Sequence, residues 1–376
     1  MIYLGYYNLD GISKQKRYVA PAGMNKMTYI CSAFNSIGTN IEIVSASMPN
    51  NNTNCAGTVF SVFDKTTCRL FPCLGNGNLF KKAIRKALFN TKLFYYLYRN
   101  IKKNSTVLAY HSLGYVKLLT FLKKVKPFRL ILEVEEIYAD VNGNKKDRIN
   151  EMRLFSIADA FIFPTNLLNQ TINHSNKPYV IVHGTYQAED ELASPFNDHK
   201  IHCVYAGTFD HRKGALAVVS AAENLDENYH VHIVGFGTES EKEKLLSKIK
   251  EVSQKTACTI TYDGLLSGME YNKFLQCCHI GLSTQNPDAQ FNNTSFPSKI
   301  LSYMANNLRV VSIRIPAIES SAIADYIEFY EEQTPQSIAE AIKKIDISKP
   351  YNSKDILNRL HEQFQQDLRK MQRTCI

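Results

Sequence analysis

Short runs of β-branched and aromatic residues alternate along this chain with helix-forming spacers, and past the midpoint the alternation starts again. The first series runs through Ile2 to Tyr6, Ile41 to Ala46, Thr106 to Tyr110, Arg129 to Glu133, Asp159 to Phe163 and Tyr179 to Val182. Parallel neighbours need a crossover long enough to hold a helix, so this spacing predicts βαβ units in a doubly wound sheet. A second series occupies His202 to Gly207, His230 to Gly235, Thr259 to Tyr262, Ile280 to Ser283 and Arg309 to Ile313. The chain is thus α/β, with two Rossmann-like doubly wound domains, and 376 residues are too many for one ordinary core. The polar stretch Gln187 to Asp198, with Pro195, reads as the linker. We place the domains at residues 1–190 and 191–350. Residues 351–376 form a helical tail that either caps the second domain or braces the first.

Composition narrows the setting. No apolar run approaches the roughly 20 residues of a membrane-spanning helix, and the start has no signal-peptide pattern, so the sequence reads as cytoplasmic. The nine cysteines show no paired CxxC spacing and no His/Cys cluster of the kind zinc requires. The formal charge of +9 suits an anionic ligand, membrane or nucleic acid, but the cations accompany no nucleic-acid-binding motif. Between Phe80 and Lys103 eight cations (Lys81, Lys82, Arg85, Lys86, Lys92, Arg99, Lys102, Lys103) stand without an acid among aromatic residues. Such a basic helix lies either at an anionic bilayer surface, here the inner face of the plasma membrane, or against its own sheet with solvated lysines outside.

Open α/β sheets bind ligands at the carboxyl ends of their strands, so the residues after each strand carry the functional reading. After Tyr205 come Gly207, Thr208 and, before a helix, Lys213 and Gly214. Small residues admit a phosphate, a helix start supplies N–H groups, and Lys213 adds a cation. A plain turn with a solvated lysine remains the alternative. Gly235 and Gly237 form a second glycine-bearing turn, and Tyr262-Asp263-Gly264 a third. In the segment from Asn292 to Ser312, Thr294, Ser295 and Ser298 would place hydroxyls and N–H groups at a helix start, with Lys299 neutralising charge; otherwise Ser298 is an N-cap and Lys299 a solvated residue.

These segments resemble the GT-B glycosyltransferases, particularly the glycosyltransferase family 4-like group, with their AGR-type turn and downstream KG, VGxGPE-like turn and PSKIxEYMAxGxPVV-like segment. The resemblance is good over about residues 200–315 and looser before them. It implies domains facing each other across a cleft, a donor diphosphate on Lys213, a nucleotide near Gly235 and Gly237, and Ser298 and Lys299 lining the donor site. Thr208 replaces the family's arginine, Ser302 its ribose-binding glutamate, and Thr294 aligns with its other acid. A carboxylate accepts two ribose hydroxyl bonds where serine offers one hydroxyl.

The first half should hold the acceptor. His111 follows one strand and could orient a hydroxyl or exchange a proton near neutral pH, while Glu135 and Glu136 follow the next and could polarise an acceptor hydroxyl. Each has a structural alternative. The loop from Asn8 through Asp10 to Arg17 should shape the acceptor side and be mobile. The sequence therefore suggests transfer of a hexose-type sugar from a nucleotide-sugar, UDP-sugar favoured over GDP-sugar, to a glycan or lipid-linked acceptor in bacterial surface polysaccharide synthesis. No cofactor is expected, and no metal, since no DxD-like motif stands at a strand end. Two other classes stay open: an NAD-dependent oxidoreductase, though Gly235-Phe236-Gly237 lacks the third glycine of the fingerprint, and a non-catalytic sugar- or nucleotide-binding protein.

Overall fold

The computed structural model describes residues 1–142, 144–289, 292 and 294–374, without the side chains of 10, 141 and 142. The chain divides into two compact units, Met1–Thr185 with the segment from Gln363 onward, and Tyr186–Glu362.

The first unit is built on an eight-stranded sheet: β1 (Ile2–Gly5), β2 (Ile41–Ser45), β3 (Thr58–Phe63), β4 (Thr66–Leu70), β5 (Thr106–Tyr110), β6 (Arg129–Glu133), β7 (Ala160–Phe163) and β8 (Tyr179–Ile181). Its order is β3-β4-β2-β1-β5-β6-β7-β8, parallel throughout except for the β3–β4 pair. Fully buried strands such as β7 (AFIF) account for the continuous apolar runs in the sequence. β3 and β4 were not anticipated. β3 is an edge strand, TVFSVF, whose residues are half-buried or exposed although it is as rich in β-branched and aromatic residues as the inner strands.

The second unit holds β9 (Ile201–Thr208), β10 (Tyr229–Phe236), β11 (Thr259–Gly264), β12 (Ile280–Ser283), β13 (Arg309–Ile313) and β14 (Ile327–Tyr330), in the order β11-β10-β9-β12-β13-β14. All its pairings are parallel, and the order matches the 3-2-1-4-5-6 pattern of a dinucleotide-binding sheet. The winding direction reverses between β1 and β5 in one sheet and between β9 and β12 in the other. β14, only four residues long, was also unforeseen.

The basic stretch forms a helix, Leu79–Asn100, anchored on its unit by Phe89, Leu93 and Leu97 at four-residue spacing. Its first turns project outward, with Leu79 85% and Phe80 73% exposed among the lysines. The tail is a helix, Ser353–Thr374. Its later part packs in the first unit, where Phe364 stacks on Tyr29 and Gln372 donates to Thr39. Among the described residues no helix is long and apolar enough to cross a membrane.

Candidate functional site

At the reversal in the second sheet, β9 and β12 pair only through Ile280 with Cys203 and Gly281 with Val204. Beyond that the ladder opens, and buried backbone groups need other partners. Tyr303 supplies them: its hydroxyl accepts from the Ala206 N–H (2.8 Å) and donates to the Leu282 carbonyl (3.2 Å). Gly281 makes room, since a β-carbon there would lie 2.3 Å from the Tyr303 ring. Tyr303 belongs to the helix Ser298–Ala305, so this one side chain fixes the helix start beside the opened strands.

Two glycines shape the loops around the opening. Gly214 (φ +91°) precedes the helix Ala215–Ala221, and a β-carbon there would come 1.8 Å from the Thr284 carbonyl oxygen. Thr284 in turn donates to the Gly214 carbonyl (2.9 Å), tying the turn Asp210–Lys213 to the end of β12. Gly235 (φ +142°) lets β10 pass the Gly207 carbonyl, which would sit 1.8 Å from any β-carbon. Arg212 is occupied by Asp210 (2.6 Å), whose carboxyl it holds well below the usual range.

Lys299 extends to Gly207, where a β-carbon would be 3.3 Å from its Nζ. That ammonium lies 3.8 Å from the centre of the Tyr205 ring and has no hydrogen-bond partner. Burial, and then the charge of Lys213, push it down to about 7. The hydroxyls of Ser283 and Ser295 are likewise buried and unpartnered. Buried polar atoms are normally satisfied, so a cation and two hydroxyl donors left open at one sheet edge match an acceptor-rich anion.

The helix starts differ. Thr238 caps the helix Glu239–Val252 in a capping box with Glu241, whose carboxylate accepts from the Thr238 N–H (2.7 Å). The start beside the exposed Gly237 thus already carries a negative charge. The start beside Lys299 carries none: its N-cap is Pro297, without a side-chain cap, and Ser298 is the first helical residue, not the cap. Thr208 and Thr294 are half-buried, the Thr208 carbonyl accepting from the Tyr205 hydroxyl (2.8 Å). Ser302 stands one turn beyond Ser298, its hydroxyl 3.1 Å from that of Tyr271.

The first unit's edge is of another kind. His111 follows β5, is 1% exposed, stacks on Tyr138 (4.9 Å) and meets Phe155 at a tilt (5.0 Å). Burial, opposed by the Glu136 backbone, pushes it down to about 4. The expected proton exchange near neutral pH is therefore corrected: His111 is neutral there. Glu135 pairs with Lys26 (2.5 Å), a lysine that also donates to the Val182 carbonyl; Glu136 is half-buried. Glu133, unforeseen, is fully buried beside Tyr3 and pushed up to about 8 by burial and then by Glu135, so it carries a proton at pH 7. It is the last residue of β6, inside what reads as an apolar run. Asn8 binds Gln15 and Ser13 within its own loop. The Asp10 side chain lies outside the described residues. The expected mobility of this loop is not what its bonding supports: buried Arg17 donates to Gln15 and to the carbonyls of Ser47, Ala56 and Phe71.

The fold assembles a histidine cluster invisible in the sequence, His202, His230 and His232, with ring nitrogens within 4.8 Å of one another.

Residues 200–345 match the family model described as glycosyl transferases group 1. No curated protein sequence matches the chain. Among solved structures, a sucrose-phosphate synthase from Thermosynechococcus elongatus superposes with a TM-score of 0.67 at 12% identity, covering 100% of this chain and 99% of its own. A trehalose-6-phosphate protein from E. coli, bound with UDP-2-fluoro glucose, gives 0.65 at 11% identity, covering 98% of each chain. A lipopolysaccharide outer core galactosyltransferase gives 0.61 at 13%, covering 100% and 99%. The expected resemblance in fold is borne out: this chain has the GT-B fold.

Proposed function

From a GT-B fold whose second domain carries the glycosyl transferases group 1 match, we propose that this chain transfers a hexose-type sugar from a UDP- or GDP-sugar to a glycan or lipid-linked acceptor, in bacterial surface polysaccharide synthesis. The observation that carries the reading is Lys299, a buried and unpartnered ammonium at the reversal of the second sheet. In the reaction, negative charge grows on the diphosphate as the bond to the sugar breaks. Lys299, Lys213 and the uncapped start of the helix Ser298–Ala305 stabilise that charge, and preorganised stabilisation of this kind is often the largest catalytic term. Ser283 and Ser295 donate to the remaining oxygens. On the acceptor side, Glu135 beside Lys26 and neutral His111 orient the attacking hydroxyl. The reaction needs no metal in this scheme, because lysines supply the positive charge.

Thermal shift with UDP, GDP, CMP, ADP and NAD tests the donor, since a ligand that binds only the folded state raises its melting temperature. UDP or GDP should give a selective rise that is lost in Lys213→Ala and Lys299→Ala. A response to NAD alone would favour the oxidoreductase, and no response would leave a non-catalytic protein. The outward-facing start of the helix Leu79–Asn100, where Phe80, Ile84 and Leu88 are exposed among lysines, is the proposed membrane contact. Vesicles containing anionic lipid should float the wild type and not a variant with Lys81, Lys82, Arg85 and Lys86 neutralised; equal flotation would remove the contact.

A further inference from the structure

The histidine cluster lies in the amino-terminal halves of β9 and β10, away from the carboxyl edge where the donor is placed. His202 pairs in register with His230, and His232 follows two residues on, so all three share one face of the sheet. That face is covered by Phe196, whose ring lies tilted 4.4 Å from His202 and stacked 5.6 Å from His232, and by Phe274. His202 and His232 are 2% and 3% exposed, whereas His230 reaches partway to solvent.

The bonding around the pair is unusual. His202 Nε2 lies 2.8 Å from Asp198, and His232 Nδ1 lies 3.1 Å from Asp263. A neutral imidazole carries one proton, and a carboxylate beside one ring nitrogen holds the proton there. The two other nitrogens, His202 Nδ1 and His232 Nε2, then present lone pairs to each other 2.8 Å apart. Two lone pairs at that distance repel unless something electrophilic lies between them. His230, its ring 3.9 Å from that of His232, brings a third nitrogen.

Asp263 is aimed by a local irregularity. The β10–β11 register slips so that Ile233 faces Tyr262 and Val234 faces Gly264, leaving Asp263 as the extra residue of a bulge. Bulges re-aim side chains, and this one turns a carboxylate onto His232. A carboxylate holding the far nitrogen of a histidine ligand is the usual outer support of a metal site.

We propose that His202, His230 and His232 bind a zinc-class divalent cation, with Asp198 and Asp263 orienting the first and last of them. Imidazole ligands suit zinc, nickel and copper better than magnesium or calcium. Two nitrogens bound at about 2.0–2.1 Å in a tetrahedral arrangement stand roughly 3.3 Å apart, so the pair opens by about half an ångström. The cation would fasten β9, β10, the β11 bulge and the segment before β9, so its role is structural.

The test uses the full chain without a polyhistidine tag. After incubation with zinc and dialysis, elemental analysis should find one zinc per chain, and a chelator should lower the melting temperature. Cobalt in its place should give visible d–d absorption without a thiolate charge-transfer band. His230→Ala should abolish retention, and Asp263→Asn, which keeps all three imidazoles, should weaken affinity about 10–100-fold. Absence of stoichiometric zinc in the wild type would leave a proton, not a metal, between His202 and His232 and overturn the proposal. A thiolate band, or zinc retained equally in His230→Ala, would also overturn it. If His230→Ala fails to fold, the wild-type stoichiometry, the cobalt spectrum and Asp263→Asn still decide.

Discussion

The two sheets end in edges of opposite character. In the second domain the reversal between β9 and β12 is ringed by groups that lack partners, a lysine ammonium and two serine hydroxyls. In the first, the groups without a partner, both His111 ring nitrogens and Glu133 Oε1, belong to neutral side chains, Lys26 holds Glu135, and the buried Glu151 carboxylate lies 3.4 Å from His111. An edge with unanswered positive charge is built for an anion. An edge whose open groups are neutral suits an uncharged hydroxyl-bearing ligand. On the proposed function, one topology yields two recognition surfaces, divided by which charges are left open.

The largest effect should come from Lys299. In Lys299→Met the buried ammonium disappears, so the ligand-free protein should melt at a higher temperature, because an unpaired buried charge is destabilising. UDP affinity should fall by about 1.5–3 kcal/mol, roughly ten- to a hundredfold, the usual scale of a hydrogen bond to a charged group. The pH dependence follows with a definite sign. Lys299 has a folded value of about 7 against about 10.4 unfolded, so between these the unfolded chain binds more protons, and ligand-free stability rises with pH. A bound diphosphate restores the proton, so UDP affinity should fall above pH 7 by up to about tenfold per unit. Isothermal titration at pH 6.5, 7.5 and 8.5 checks both statements. A higher affinity at pH 8.5, or wild-type affinity in Lys299→Met, would end the contrast between the edges.

What the sequence showed depended on how local the signal was. Inner strands announce themselves as apolar runs, and the turns at Gly207, Lys213 and Gly235 stand directly after such runs, so the sheet edge proposed for the donor could be located from the sequence. β3 (TVFSVF) carries the same β-branched and aromatic signal as the inner strands; what the sequence hides is its place, antiparallel at an exposed edge. Tyr303 looks like one more core aromatic; only the parting of β9 and β12 makes its hydroxyl the bridge between them. Ser283 stands at the end of a recognised strand and could have been found by following that strand one step further. The histidines are 28 and 2 residues apart, and only the parallel register of β9 and β10 brings His202 beside His230. Burial, too, is a tertiary property, and it alone separates His111 at about 4 from an ordinary histidine near 6.5.

The smallest effect concerns that residue and probes the first domain's edge. Because His111 is held neutral, the unfolded chain binds the extra proton between pH 6.5 and about 4. Its contribution to stability is complete above pH 6.5 and is lost as the solution is acidified toward 4. At pH 5 the loss amounts to about 1–2 kcal/mol. In His111→Phe, which keeps an aromatic ring between Tyr138 and Phe155, that part of the acid sensitivity should vanish. Denaturant unfolding of both proteins at pH 7 and pH 5 gives the comparison directly. An unchanged pH difference would mean that His111 titrates normally in the folded protein, and the edge proposed to take the acceptor would then carry a charge switch in place of a neutral donor.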